Sequence, residues 1–202
     1  MSDQISSPAP PFPIAVLVSG TGTNLQALLD RVHGREAQIV AVASNVADAP
    51  ALERAVSHDI PTAVFSRSAY PDRQTRDEAM ADWLSGLGAR LIVLAGFMEL
   101  LSERFLESFP GAVKNVHPSL LPDYPGMHAI EQALAHGEKR FGVTVHFVDA
   151  GIDTGQIISK DWVDLPRASD PAEVLAALRP LEHRLLSEAV QKFVSQRHLI
   201  TA

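Results

Sequence analysis

Asn115-Val116-His117-Pro118 sets an amide and an imidazole two residues apart. In extended backbone, side chains at that spacing point to the same side of the chain. An amide N–H beside an imidazole can hydrogen-bond an oxygen that gains negative charge, and the imidazole can also move a proton near neutral pH. Pro118 and Pro122 stiffen the segment that follows. Taken alone, these residues are equally compatible with a buried histidine satisfied by backbone, with prolines that merely end a strand.

Ser19-Gly20-Thr21-Gly22-Thr23-Asn24 is the second segment with chemical potential. Placed between a strand and a helix, its glycines let the backbone approach a ligand, and its N–H groups together with the helix dipole favour an anion. Leu25 stands where a dinucleotide fingerprint has its third glycine, and the Gly-Lys-Ser/Thr ending of a Walker loop is missing. One phosphate monoester is the ligand expected. The plainer alternative is a tight turn with Thr23 or Asn24 as helix cap.

These residues need elements to hold them. Ile14–Val18 is a short, uninterrupted apolar run rich in β-branched residues, as in a strand buried on both faces of a parallel sheet. Leu25, Leu28, Leu29 and Val32 recur at helical spacing, and Ile39–Ala43 reads as the next strand. The alternation continues with a helix over 50–57, a strand over 62–65, a helix over 72–87, a strand over 91–95, a helix over 102–107 and a fifth strand over 112–116. This is a doubly wound α/β pattern. Asn115 and His117 then fall at the carboxyl end of a strand, where open α/β sheets place their ligand crevice.

From Val143 the texture changes to alternation, with Val143, Val145 and Phe147 against Thr144 and His146, and 157–165 follows after a Gly/Asp turn. Paired strands with one wetter face are expected, with His146 facing a second layer. The stretch 169–196 has Ser169 or Asp170 to cap a long helix and Pro171 in its first turn. Pro180 should kink or divide it. The fold expected is therefore a Rossmann-like, mostly parallel sheet with antiparallel C-terminal strands and a long C-terminal helix.

Bulk properties narrow the partners. With 202 residues, 46% of them hydrophobic, one domain over residues 14–202 is expected, behind a Pro- and Ser-rich disordered tail over 1–13. A net charge of -7 and no basic run give no electrostatic support for nucleic acid or anionic membranes. The chain has no cysteine, which excludes disulfides and thiolate chemistry. Residues 1–13 lack a signal-peptide pattern, no apolar run reaches bilayer length, and a cytoplasmic location follows as the expectation. The histidines show no His-Glu-x-x-His arrangement, so no metal is expected.

Five segments occur together in order: Ser-Gly-Thr-Gly-Thr-Asn-Leu-Gln-Ala-Leu at 19–28, Ala-Gly-Phe-Met at 95–98, Asn-Val-His-Pro-Ser-Leu-Leu-Pro at 115–122, Tyr-Pro-Gly at 124–126 and Asp-Thr-Gly at 153–155. In this combination the chain resembles the phosphoribosylglycinamide formyltransferases, from about Ile14 to the C-terminal helix. The middle segment alone indicates only the wider formyltransferase superfamily. The resemblance implies transfer of a formyl group from 10-formyltetrahydrofolate, a co-substrate, to the glycine amine of glycinamide ribonucleotide in purine synthesis, by a monomer or homodimer and without a metal.

By the same resemblance Asn115, His117 and Asp153 are catalytic. Asn115 and an imidazolium at His117 would stabilise the oxyanion, while the Asp153 carboxylate favours that imidazolium and holds a water for proton relay. The substrate phosphate falls to Gly22, Thr23 and Asn24, and the ribose and glycinamide end to Glu182. Folate-binding positions are Arg73, for a glutamate-tail carboxylate, then Met98, Glu99, Leu100 and Leu101, Asn115, and the loop Asp149, Ala150, Gly151, Ile152 and Asp153.

Two positions depart from the family pattern. Glu99 stands where many relatives carry a basic residue, and its carboxylate would repel a folate tail that it faced. Pro180 lies two residues before Glu182, inside the helix that must position that carboxylate. Competing functions are a formyltetrahydrofolate hydrolase or another superfamily formyltransferase and, from a different class, a non-catalytic nucleotide-binding module that needs only the glycine loop.

Overall fold

The protein is described here from a computed structural model, over residues 10–198. Strand β1, Phe12–Val18, begins two residues earlier than the apolar run suggests, because Phe12 packs edge-on against Phe193 and is itself buried. Of the expected tail 1–13, Phe12 and Pro13 therefore belong to the sheet, Pro10 and Pro11 precede it exposed, and 1–9 lie outside the described residues.

Five parallel strands follow one another as expected: β1, β2 (Ala37–Ser44), β3 (Thr62–Val64), β4 (Leu91–Leu94) and β5 (Val113–His117). Then β6 (Arg140–Phe147) and β7 (Ile157–Asp164) pair antiparallel, giving one sheet in the order β3-β2-β1-β4-β5-β6-β7. The chain works outward from β1 to β3 and resumes at β4 on the other side of β1. The topological switch point lies between β1 and β4, and the loops after both strands open there. The helices are α1 (Thr23–Arg31), α2 (Pro50–Val56), α3 (Arg73–Gly86), α4 (Glu103–Ser108), α5 (Ala129–Ala135) and α6 (Pro171–His198). Helix α6 packs on α1 and α5 and runs over β6 and β7, while α3 packs on α4.

Two expectations are corrected. Strand β6 has no wet face: Thr144 and His146 are as buried as Val143 and Val145. The strand lies between β5 and β7, Thr144 donates to the Ser119 carbonyl and accepts from Leu121 N–H, and His146 turns into a polar cluster. The wetter strand is β7, at the sheet edge. Pro180 does not divide α6, which runs unbroken from Pro171 to His198. An internal proline costs a helix about 3 kcal/mol. Burying Val174, Leu178, Leu185 and Leu186 contributes about 1.5–3 kcal/mol each, which outweighs it. Asp170 caps this helix, accepting from Ala172 N–H at 2.9 Å.

Candidate active site

The pleat of β5 sorts its polar residues. Lys114 points toward α6, where its Nζ donates to the Ala189 carbonyl at 2.9 Å and sits over the rings of Phe147 and Phe193. Asn115 and His117 point to the other side, and both meet Asp153. That carboxylate comes from the loop between β6 and β7, on a residue held at a left-handed φ of 54°. A non-glycine residue held there stores backbone strain.

Asp153 is anchored firmly at one point and loosely at three. Its Oδ2 accepts from Gly126 N–H at 2.8 Å and lies 3.3 Å from His117 Nδ1. Its Oδ1 lies 3.3 Å from Asn115 Nδ2 and 3.4 Å from His146 Nε2. Burial pushes the Asp153 carboxyl up, but the hydrogen bond from His146, the Gly126 N–H and the charges of both imidazoles outweigh it and bring the group down to about 2. It is a carboxylate throughout the neutral range.

Both ring nitrogens of His117 face acceptors. Nε2 donates to the Tyr124 carbonyl at 2.9 Å and Nδ1 faces Asp153, a pattern that the imidazolium completes at both ends. The contacts of 3.3 Å are long for charge-assisted hydrogen bonds, so an incoming oxygen can compete for the donors on Asn115 and His117.

His146 joins this cluster, contrary to the expectation that it faces a second layer. Its Nδ1 donates to the Phe147 carbonyl at 2.7 Å, which fixes the tautomer. A neutral ring then accepts from Asn115 at Nε2, 3.2 Å away, and a charged ring donates to Asp153 from the same atom. His146 is the register partner of Asn115 across β5 and β6, and strand pairing is not legible in local sequence.

At the other end of the crevice, the loop after β1 feeds α1. Its N-cap is Gly22 at φ 75°, where an added Cβ would stand 2.6 Å from the Cβ of Ala51. No side chain caps α1, and Thr23 and Asn24, the expected caps, lie inside the helix. The N-terminal N–H groups thus keep their capacity for an anion. Arg54, which carried no signal in the sequence, donates from Nε to the Thr21 carbonyl at 2.8 Å and sets a guanidinium against the loop. Asn24 Nδ2 donates to Glu182 Oε2 at 3.3 Å, bringing α1 and α6 together, while the buried Asn24 Oδ1 has no protein partner. Burial raises the Glu182 carboxyl, partly offset by Asn24 and Arg179.

Residues 13–190 match the formyl transferase family. The chain is 40% identical over 186 residues to the phosphoribosylglycinamide formyltransferase of Haemophilus influenzae, covering 91% of this chain and 88% of that one. It belongs to the phosphoribosylglycinamide formyltransferase family. Glycinamide ribonucleotide transformylase 1 from Symbiobacterium toebii superposes with a TM-score of 0.89 at 41% identity, over 93% of this chain and 89% of that structure. The trifunctional purine biosynthetic protein adenosine-3 of Homo sapiens is 40% identical over 184 residues, which are 90% of this chain but 18% of that protein. The chain is an enzyme of this family, with the family's fold.

The remaining expected positions of this formyltransferase differ in exposure and in partners. Met98 and Leu100 after β4, and Ile152 before Asp153, are large apolar side chains left exposed at 62%, 51% and 50%. Leu101 turns onto the core instead. Asp149 secures its own loop, accepting from Gly151 N–H and Thr154 Oγ1 beside Ala150. Arg73 heads α3 as an exposed residue one turn ahead of Arg76. Glu99 does not stand free to repel an anion, because it accepts from Arg76 and from Asn45.

Proposed function

We propose that this formyltransferase transfers the formyl group of 10-formyltetrahydrofolate to the amine of glycinamide ribonucleotide, with Asn115, His117 and Asp153 at the reacting carbon. The observation that carries this reading is the convergence of those three side chains from β5 and the loop after β6, with Asp153 held ionised. The amine lone pair attacks the formyl carbon, and the carbonyl oxygen becomes an oxyanion that accepts from Asn115 Nδ2 and the His117 imidazolium. Collapse breaks the bond from carbon to folate N10, and the proton lost by the amine passes to that nitrogen. With its carboxyl near 2, Asp153 is a poor proton store. It works by pairing with His117 Nδ1 and by holding a water for the relay.

The substrate phosphate sits on Gly22, Thr23 and Asn24, and Glu182 accepts from the sugar or glycinamide end. The folate lies on Met98, Glu99, Leu100, Leu101 and the loop Asp149, Ala150, Gly151, Ile152 and Asp153, with Arg73 toward its tail. The enzyme works on these small molecules in the cytoplasm, as a monomer or homodimer, without a metal. A steady-state assay following tetrahydrofolate formation, with and without glycinamide ribonucleotide, tests the reading. Turnover only with the ribonucleotide supports it; equal turnover without it points to a hydrolase, and none in either case removes the assignment.

A further inference from the structure

Arg76 on α3 is among the largest fully buried side chains among the described residues, and it is charged. Its Nε and Nη2 donate to one oxygen of Asp77 at 2.9 and 2.7 Å, and its Nη1 donates to Glu99. The second oxygen of Asp77 accepts from Ser102 N–H at 2.6 Å, and Ser102 caps α4. The second oxygen of Glu99 accepts from Asn45 Nδ2 at 2.9 Å. Asn45 Oδ1 in turn accepts from the Ser19 hydroxyl at 2.5 Å, and Ser19 Oγ accepts from Met98 N–H at 2.8 Å.

The loop after β4 is therefore fastened at Met98, Glu99 and Ser102, and between these anchors Met98 and Leu100 stay exposed. An isolated buried guanidinium is costly, and here it is matched by two carboxylates that one planar fork can reach at once. Lysine, a point charge on a flexible stem, cannot span both.

We propose that Arg76 is a positioning and charge-specificity residue for the formyl donor. It draws the Glu99 carboxylate away from the donor face and fixes the loop that carries Met98 and Leu100. This rests on the reading that the loop binds the folate. Without Arg76 the carboxylate keeps only Asn45 and stands uncompensated beside an anionic folate tail, and the loop that carries the exposed apolar pair loses one of its anchors. The effect falls on the donor and leaves the ribonucleotide site at Gly22–Asn24 intact.

The test is calorimetric titration of the full-length protein with tetrahydrofolate and, separately, with glycinamide ribonucleotide. Arg76→Met should raise the Kd for tetrahydrofolate about tenfold while the Kd for the ribonucleotide moves about twofold at most. Adding Glu99→Met in the same chain should recover the part of the loss due to the uncompensated carboxylate and leave the part due to the loosened loop. Should Arg76→Met fail to fold, Arg76→Lys keeps a cation on Asp77 and should weaken tetrahydrofolate in the same direction. Unchanged folate affinity in the folded variant, equal weakening of both ligands, or no recovery in the double variant overturns the proposal. If the unaltered enzyme itself fails to bind tetrahydrofolate, the donor-site reading falls and takes this inference with it.

Discussion

Asn24 and Glu182 stand 158 residues apart in the chain and meet at 3.3 Å, the amide of α1 donating to the carboxylate of α6. The contact pins the helix that follows the glycine turn to the helix that carries Pro180. Glu182 is 7% exposed, and burial raises its carboxyl above the ordinary value. A raised carboxyl means that the folded state holds its proton more tightly than the unfolded chain. Its ionised form thus weakens the fold at neutral pH, and the penalty fades as pH falls through the raised value.

Glu182→Gln should accordingly gain about 1 kcal/mol at pH 7, with the advantage over the unaltered enzyme shrinking on acidification. The same change should raise KM for glycinamide ribonucleotide. Thermal melts from pH 4 to 8 and steady-state kinetics check both, and a loss of stability at pH 7 would contradict the first.

For Asp153→Asn and His117→Ala the expectation is a fall in kcat of about two powers of ten or more with the fold retained. Because the Asp153 carboxyl lies at about 2, below its ordinary value, its contribution to stability is present above the ordinary carboxylate range and is lost as pH falls through about 2. Acid unfolding of Asp153→Asn should lack that component. Circular dichroism across pH 1.5–5 reads it, together with activity at neutral pH.

His146→Phe fills the same space but neither accepts from Asn115 nor donates to Asp153. Because His146 acts through those two residues, kcat should drop by about tenfold, while KM for both substrates changes little. An unchanged kcat beside a lowered melting temperature would make His146 a packing residue only.

Lys114 offers a check on the opposite face of β5 from Asn115. Burial, reinforced by Lys192, lowers its amine to about 7. The unfolded chain therefore holds the proton more tightly, and the cost to the fold is absent above the ordinary lysine value, grows as pH falls toward 7, and is complete below it. The Ala189 carbonyl and the rings of Phe147 and Phe193 offset part of that cost. Lys114→Met should stabilise the protein by about 2 kcal/mol at pH 6 and by less at pH 10. Urea unfolding at the two values settles the sign.

What could be read along the chain was whatever a short window encodes. The uninterrupted apolar run at Ile14–Val18 marked a doubly covered strand, the Ser19–Asn24 turn marked a glycine-bearing helix entry, and the spacing of Asn115 and His117 put them on one side of β5. The order of five short segments carried the family and with it the role assigned to Asp153. Tertiary structure decided the rest, because it depends on groups brought together across long stretches of chain. Antiparallel register set His146 opposite Asn115 and removed the expected wet face of β6, which alternation alone cannot foresee. Packing of α3 beside the loop after β4 gave Glu99 a buried guanidinium, so a carboxylate that looked repulsive in one dimension is paired in three. The core contacts of α6 kept that helix whole through Pro180 and brought Glu182 to Asn24. Local propensity sets the elements, while burial and pairing between distant elements choose which side chains share a site.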